Sequence, residues 1–216
     1  MIYNFDEMPS VINQYIAELR DKEIQKDSMR FRTNMERVGA LMGYEISKVL
    51  EYEKQDVQTP LGVANTNMLK DEVVLATILR AGLAMNNGFL SVFDKAESAF
   101  VTAYRKYHSD NQFSIKVEYM SSPKIDGKVL ILSDPMLATG SSMVMSYRAL
   151  LKKGKPKHTH IVAALASKEG IEYLKRNIKD SDITIWAGAI DSEMTVQSYI
   201  VPGLGDAGDL AFGKKE

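Results

Sequence analysis

The chain is 216 residues long, with 45% hydrophobic and 25% charged residues, a formal net charge of -1 and no cysteine. Length and composition fit one ordinary globular domain with a sizeable core, and the near-neutral charge supplies no general field for nucleic acid or another polyanion. The missing cysteine excludes disulfides, thiolate-bound zinc and cysteine nucleophiles; with no basic-then-apolar leader and no apolar run of the ~18 residues a membrane span needs, a cytoplasmic protein is expected.

Val11 to Arg20 reads as a helix. From Phe31 to Glu51 apolar residues recur at Phe31, Met35, Val38, Leu41, Met42, Ile46, Val49 and Leu50, the spacing of a helix with one buried stripe. Residues 1–30 are read as an N-terminal helical arm. Thr59-Pro60-Leu61-Gly62 is a turn-forming cluster. Beyond it come short apolar runs that read as strands buried on both faces: Val73 to Leu79, Ala99 to Tyr104, Val129 to Leu132, Ile161 to Leu165 and Ile183 to Ile190. Helical segments alternate with them near Leu83 to Phe93, Ser142 to Lys153 and Lys168 to Arg176. The expected fold is α/β, a mostly parallel sheet flanked by helices in one domain spanning 1–216. Lys152, Lys153, Lys155 and Lys157 fall where a helix ends at Gly154 and Pro156, and are expected to face solvent there. His158 and His160 alternate onto one face at a strand entry; with no third ligand they are expected to be solvated rather than metal-bound.

In open α/β sheets ligands bind beyond the carboxyl ends of the strands. The stretch Ser133-Asp134-Pro135-Met136-Leu137-Ala138-Thr139-Gly140-Ser141-Ser142 follows a buried strand and opens a helix. Gly140 lets the backbone turn close to a ligand, and Thr139, Ser141 and Ser142 add hydroxyls beside free helix N-terminal amides, which together suit a phosphate monoester. Asp134, kept extended by Pro135, could accept two sugar hydroxyls. The same small residues also suit a plain helix cap that needs no ligand. There is no Gly-Lys-Ser or Gly-Lys-Thr, so a Walker loop is excluded.

Asp134-Pro135-Met136-Leu137-Ala138-Thr139-Gly140 resembles the phosphoribosyl diphosphate (PRPP) signature of the type I phosphoribosyltransferases, in the form used by the uracil phosphoribosyltransferases. Leu79-Arg80-Ala81-Gly82-Leu83 is similar to that family's pyrophosphate loop, Tyr104-Arg105 to the start of its flexible loop, and the segment from Tyr199 to Asp209 to its uracil-binding signature. The similarity runs from about Leu19 to Gly213 in one order, including Leu19-Arg20-Asp21 and Glu169-Gly170-Ile171. The resemblance implies a type I phosphoribosyltransferase-like fold with a base-binding C-terminal hood over about 185–216. It implies transfer of ribose 5-phosphate from PRPP to uracil, giving UMP and pyrophosphate in pyrimidine salvage.

Carried over, the resemblance implies that Arg80 and Arg105 contact the donor's diphosphate and that Asp134 holds the ribose hydroxyls. Residues of the loop Pro135, Met136, Leu137, Ala138, Thr139, Gly140, Ser141 and Ser142 bind PRPP, Ala138 through Ser142 wrapping its 5-phosphate. Asp206 faces the donor and its magnesium through water or hydroxyl contacts, and Ile200, Gly205, Asp206 and Ala207 read uracil, mainly with backbone groups. Asp206, Arg80 and Arg105 are the expected catalytic residues, Mg2+ the cofactor, held by PRPP and water, and a homodimer or larger homo-oligomer the assembly, with GTP a candidate activator. The chain departs from the pattern at Ser141 and Ala84, where the family has Gly, and at Leu210, where a basic residue is common. A positive φ at Ser141 would cost stability or turn an amide off the phosphate. The polar stretch from Tyr107 to Ser114 is expected to close over the site and exclude water. Two rivals share the fold: an RNA-binding pyrimidine attenuation-type regulator, against which the near-neutral charge argues, and a catalytically silent interaction module, expected to lose Asp134, Arg80 or Asp206.

Overall fold

A computed structural model describes residues 1–107, 113–178 and 183–214 of the chain, and at 103–107 and 113–117 the backbone course only. In chain order its elements are β1 (Ile2–Asn4), α1 (Val11–Arg20), α2 (Ser28–Ser47), β2 (Tyr52–Thr59), β3 (Gly62–Leu69), β4 (Val73–Leu79), α3 (Leu83–Leu90), β5 (Glu97–Tyr107) and β6 (Phe113–Ser121). Then follow β7 (Val129–Ser133), β8 (Met136–Leu137), α4 (Ser141–Leu150), β9 (His158–Ser167), α5 (Lys168–Asn177), β10 (Ile183–Asp191), β11 (Glu193–Met194), β12 (Ile200–Val201) and α6 (Ala207–Phe212).

Among the described residues the main sheet runs β1-β10-β9-β7-β4-β5-β6, with β8 added beside β9, and every pairing is parallel except β5 with β6. Continuous apolar runs produce this arrangement because alternate side chains point to opposite faces and both faces are covered. Val73, Leu75, Val129, Ile131 and Val162 pack on one side with Phe31, Met35, Val38 and Met42 of α2. Val74, Ala76, Ile78, Leu130, Leu132 and Ile161 pack on the other with Met143, Val144 and Tyr147 of α4 and Ile171 and Leu174 of α5. The α1–α2 pair is also locked by charge: Glu18 accepts two bonds from Arg30 at 2.8 Å and one from Asn34 at 2.6 Å. The Arg30 hydrogen bond foremost, with that from Asn34, holds the Glu18 carboxyl down at about 2.

Several elements differ from the sequence reading. The long helix starts at Ser28, capped by Asp27 through the Met29 and Arg30 amides, and ends at Ser47, leaving Val49 exposed. The turn at 59–62 closes an antiparallel hairpin, β2 with β3, exposed along nearly its whole length. Residues 1–30 include a strand, β1, that extends the sheet beside β10. Lys157 is not merely solvated; it pairs with Asp71 at 2.6 Å and Glu51 at 2.8 Å. The expectation of a solvated His160 is overturned. It is 2% exposed on β9, its Nδ1 accepts from Trp186 Nε1 at 3.0 Å, and burial pushes its pKa down to about 3. A polar residue inside a two-sided sheet is buried whatever its chemistry, and here the indole supplies its partner.

Candidate functional site

The loop after β7 is stitched to the neighbouring strand at almost every step. The Asp134 amide donates to Val162 O at 3.1 Å, the Leu165 amide to Pro135 O at 2.9 Å, and Ser167 Oγ to Ala138 O at 2.6 Å. Ser167 also caps α5 through the Gly170 amide, so one hydroxyl ties loop and helix together. Gly140 then takes φ 78°, a left-handed conformation, and a Cβ there would lie 2.8 Å from Gly170 O. Glycine is required on both counts. The strain expected at Ser141 does not arise: the positive φ belongs to Gly140, and Ser141 is the first residue of α4. Its amide donates to Thr139 Oγ1 at 3.4 Å, and the first-turn amides that follow have no helical acceptor of their own. The departure at Ala84 is absorbed in the core, where the methyl is 4% exposed.

The glycine-rich tail is irregular between β12 and α6 and is held from outside. Asp191, at the end of β10, accepts from both Arg20 terminal nitrogens at 2.8 Å and from the Gly203 amide at 3.0 Å. Arg32 Nη1 donates to Ala211 O at 2.7 Å, and Arg80 Nη2 to Gly213 O at 3.0 Å. Asp206 caps α6 by accepting from the Asp209 amide at 2.9 Å. The Leu79–Arg80 and Val201–Pro202 peptides are cis.

These two segments face one another across a single cleft of ≈ 720 Å³. Asp134, Met136, Leu137, Ala138, Thr139, Gly140 and Ser142 line one side, Ile200, Gly205, Asp206 and Ala207 the other. The structure therefore brings together most of the residues singled out from the sequence. Burial raises the Asp134 carboxyl to about 7, against the weaker pull of its bond from the Met136 amide, and the negative charge of Asp206 adds to the rise. Pro135 is buried behind the loop, and Ser141 is half-buried at the helix start. Arg80 itself stands at the rim, its guanidinium turned to Gly213 and 3.5 Å from Asp209, while its neighbour Ala81 lines the cleft. Arg105 lies on β5; its side chain, and residues 108–112 of the expected closing loop, lie outside the described residues. The sequence reading passed over Gln197 and Ser198, and named Tyr199 only as the start of the resembling segment; all three complete the wall beside Ile200. Ser198 has φ 65°, the one positive value outside glycine among the described residues, in the turn joining β11 to β12. No apolar run or motif marks that turn before Tyr199.

The model of the family described as uracil phosphoribosyltransferase matches residues 8–214. The uracil phosphoribosyltransferase of Porphyromonas gingivalis is 55% identical over 206 residues, covering 95% of this chain and 95% of that one. That of Pyrococcus furiosus is 38% identical over 216 residues, covering 99% and 90%. Among solved structures, the AQ2163 protein from Aquifex aeolicus superposes with a TM-score of 0.87 at 29% identity, covering 99% of this chain and 98% of that one. With the cradle and tail on facing walls of one cleft, these similarities place the chain in the uracil phosphoribosyltransferase family.

Proposed function

We infer that the chain transfers ribose 5-phosphate from PRPP to uracil, forming UMP and pyrophosphate, and so acts in pyrimidine salvage as a pentosyltransferase. The observation that carries this reading is the shared cleft, in which a phosphate-sized cradle faces a backbone-rich tail that can read a flat base. The donor's 5-phosphate would sit against residues 138–142, and its ribose hydroxyls against Asp134. Uracil would lie against Ile200, Gly205 and Ala207.

In the reaction the bond from the ribose anomeric carbon to the diphosphate oxygen breaks, a bond from uracil N1 to that carbon forms, and the N1 proton is released. Positive charge grows on the ribose while negative charge grows on the departing group, so both ends need stabilising. Arg80 and Arg105 would neutralise the diphosphate; the Arg80 guanidinium first has to leave Gly213 O. Asp206 would position the donor and base, its backbone already fixed by the cap it forms. Among the described residues no group of three or more His, Asp or Glu could hold a metal, whereas Asp134 and Asp206 both line the cleft. That donor set fits magnesium bound chiefly through donor oxygens and water, with Asp206 as an outer contact; when bound it would supply charge neutralisation at the leaving group.

The partners we propose are PRPP, uracil and a second copy of the chain. An isolated two-stranded hairpin is marginal in water, and β2–β3 exposes Tyr52, Val57, Leu61, Val63, Met68 and Leu69, which supports covering by another subunit. No helix among the described residues is long and apolar enough to cross a membrane, and the absence of cysteine suits a reducing cytoplasm. The decisive experiment is pyrophosphate release on mixing the protein with PRPP, magnesium and each free base in turn, with and without GTP. Release with uracil and not with purines is expected; release with none would refute the reading.

A further inference from the structure

Between β12 and α6 the base-reading tail has no helix or strand at residues 202–206, yet its backbone groups have to stand still to recognise uracil. The polar contacts that fix its turn come from outside it, from Asp191 at the end of β10 and from Arg20, 183 residues before Gly203. Asp191, 8% exposed at the end of β10, accepts the Gly203 amide at 3.0 Å through the same oxygen that accepts Arg20 Nη1 at 2.8 Å. Its other oxygen accepts Arg20 Nη2 at 2.8 Å, and Arg20 Nη1 returns to Gly203 O at 3.2 Å. One planar fork thus grips a carboxylate, and fork and carboxylate together hold both polar groups of a single peptide residue. That residue has no freedom to give: Gly203 has φ 57°, and a Cβ there would lie 2.1 Å from Ile200 O. On its two sides Ile200 and Leu204 are buried at 4% in the core that also holds Leu19, the residue before Arg20.

We propose that Arg20 and Asp191 are positioning residues for the base, a partly buried ion pair that sets the turn at 200–205 and thereby the register of the Ile200, Gly205 and Ala207 backbone in the cleft. This rests on the uracil-transfer reading above for its meaning, though not for its geometry. Asp191 lies beside Ser167 in the β9–β10 register, but the side-chain hydrogen bonds described for the pair join Arg20 and Asp191 to each other and to Gly203, so its direct hold is on the acceptor side. The ion pair is suited to the task because a charged hydrogen-bond network, fully satisfied, admits one arrangement where an apolar contact would tolerate several.

The test is steady-state kinetics on purified full-length variants, with hydrogen exchange as a second readout. Asp191→Asn keeps the shape but loses the charge, and Arg20→Lys keeps the charge but loses the fork. Asp191→Asn is expected to raise KM for uracil about tenfold, the loss expected of one charge-assisted hydrogen bond. KM for PRPP and kcat should stay within about twofold, because an interaction lost equally from ground and transition states changes KM alone. Arg20→Lys should give a smaller rise, and the Arg20→Lys, Asp191→Asn double variant no more than the larger single effect, because the two act as one unit. Amide exchange over 200–207 should quicken in Asp191→Asn while that of β4 and β9 stays unchanged. A parallel rise of both Michaelis constants, or an unchanged KM for uracil, would overturn the assignment. If the wild-type protein turned over no uracil, the proposed function would fall, and exchange over 200–207 would then decide this inference alone: unchanged protection there would end it.

Discussion

The two walls of the cleft are made in opposite ways. The cradle grows out of buried parallel strands, and its carbonyls and amides are taken up by β9 and Ser167, so its shape follows from the sheet. The tail lies beyond β10, the last strand of the main sheet in chain order, and its shape follows from side chains that reach it from elsewhere: Arg20, Arg32 and Arg80 each donate to one of its carbonyls. A binding site can thus join one wall that is as stiff as the core to one that is only as stiff as its charged anchors. The stiff wall suits the phosphate, an invariant handle; the anchored wall suits the base, against which backbone groups must be set individually.

Breaking this division should separate chemistry from binding. The largest effect is expected from Asp206→Asn. Asparagine caps a helix as well as aspartate, so α6 and the fold persist, with a melting temperature within about 2 °C of wild type. Turnover should fall by about 10²-fold or more through lost charge and positioning, read as kcat in the pyrophosphate-release assay; near-normal turnover in the folded variant would remove Asp206 from the mechanism. Gly140→Ala attacks the other wall. With φ 78° and a Cβ 2.8 Å from Gly170 O, it should cost about 1–3 kcal/mol in denaturant unfolding and raise KM for PRPP more than KM for uracil.

The same contrast explains what could be read from the sequence. Val73–Leu79 was legible residue for residue because a strand buried on both faces is a continuous apolar run. The cradle was legible because strand, small residues and helix follow one another without interruption. The hairpin was not: Tyr52–Thr59 and Gly62–Leu69 bury neither face, so no alternation marks them beyond the turn they share. Of the tail, the glycines and Asp206 were visible as a resembling motif, but Gln197 and Ser198 enter the cleft only through the fold of a short turn. Arg20 stood inside a resembling segment with no role to give it, because its partner Asp191 is 171 residues away.

A smaller effect, on pH, sharpens the role of the cradle. Burial holds the Asp134 carboxyl protonated up to about pH 7, against 3.8 ordinarily. In the unfolded chain it ionises at the lower value, so between these values the folded state binds more proton and its stability falls as pH rises, the loss being complete above about 7. Donor binding runs the other way, since the ionised carboxylate accepts two ribose hydroxyls much more strongly than the neutral acid, one oxygen of which carries a proton. KM for PRPP should therefore drop about tenfold from pH 6 to pH 8, as expected for a group ionising near 7, and Asp134→Asn should flatten that profile. A profile unchanged by the substitution would assign the titration to another group.

The smallest effect tests whether the cradle depends on its departure from the family pattern. Ser141 occupies the first position of α4 with ordinary helical geometry, because Gly140 already supplies the left-handed turn. Ser141→Gly therefore relieves no strain. Its stability cost should stay below the roughly 0.5–1 kcal/mol of a mid-helix glycine, since the first helical position is not an interior one. It removes one hydroxyl, which lies 3.3 Å from Thr139 Oγ1, while leaving the amide that would face the phosphate. KM for PRPP should remain within about twofold of wild type, the range in which a single neutral hydrogen bond is partly replaced by water. A rise of about tenfold would mean that the hydroxyl itself grips the phosphate, and that this chain has replaced a backbone-only cradle with one in which a side chain shares the load.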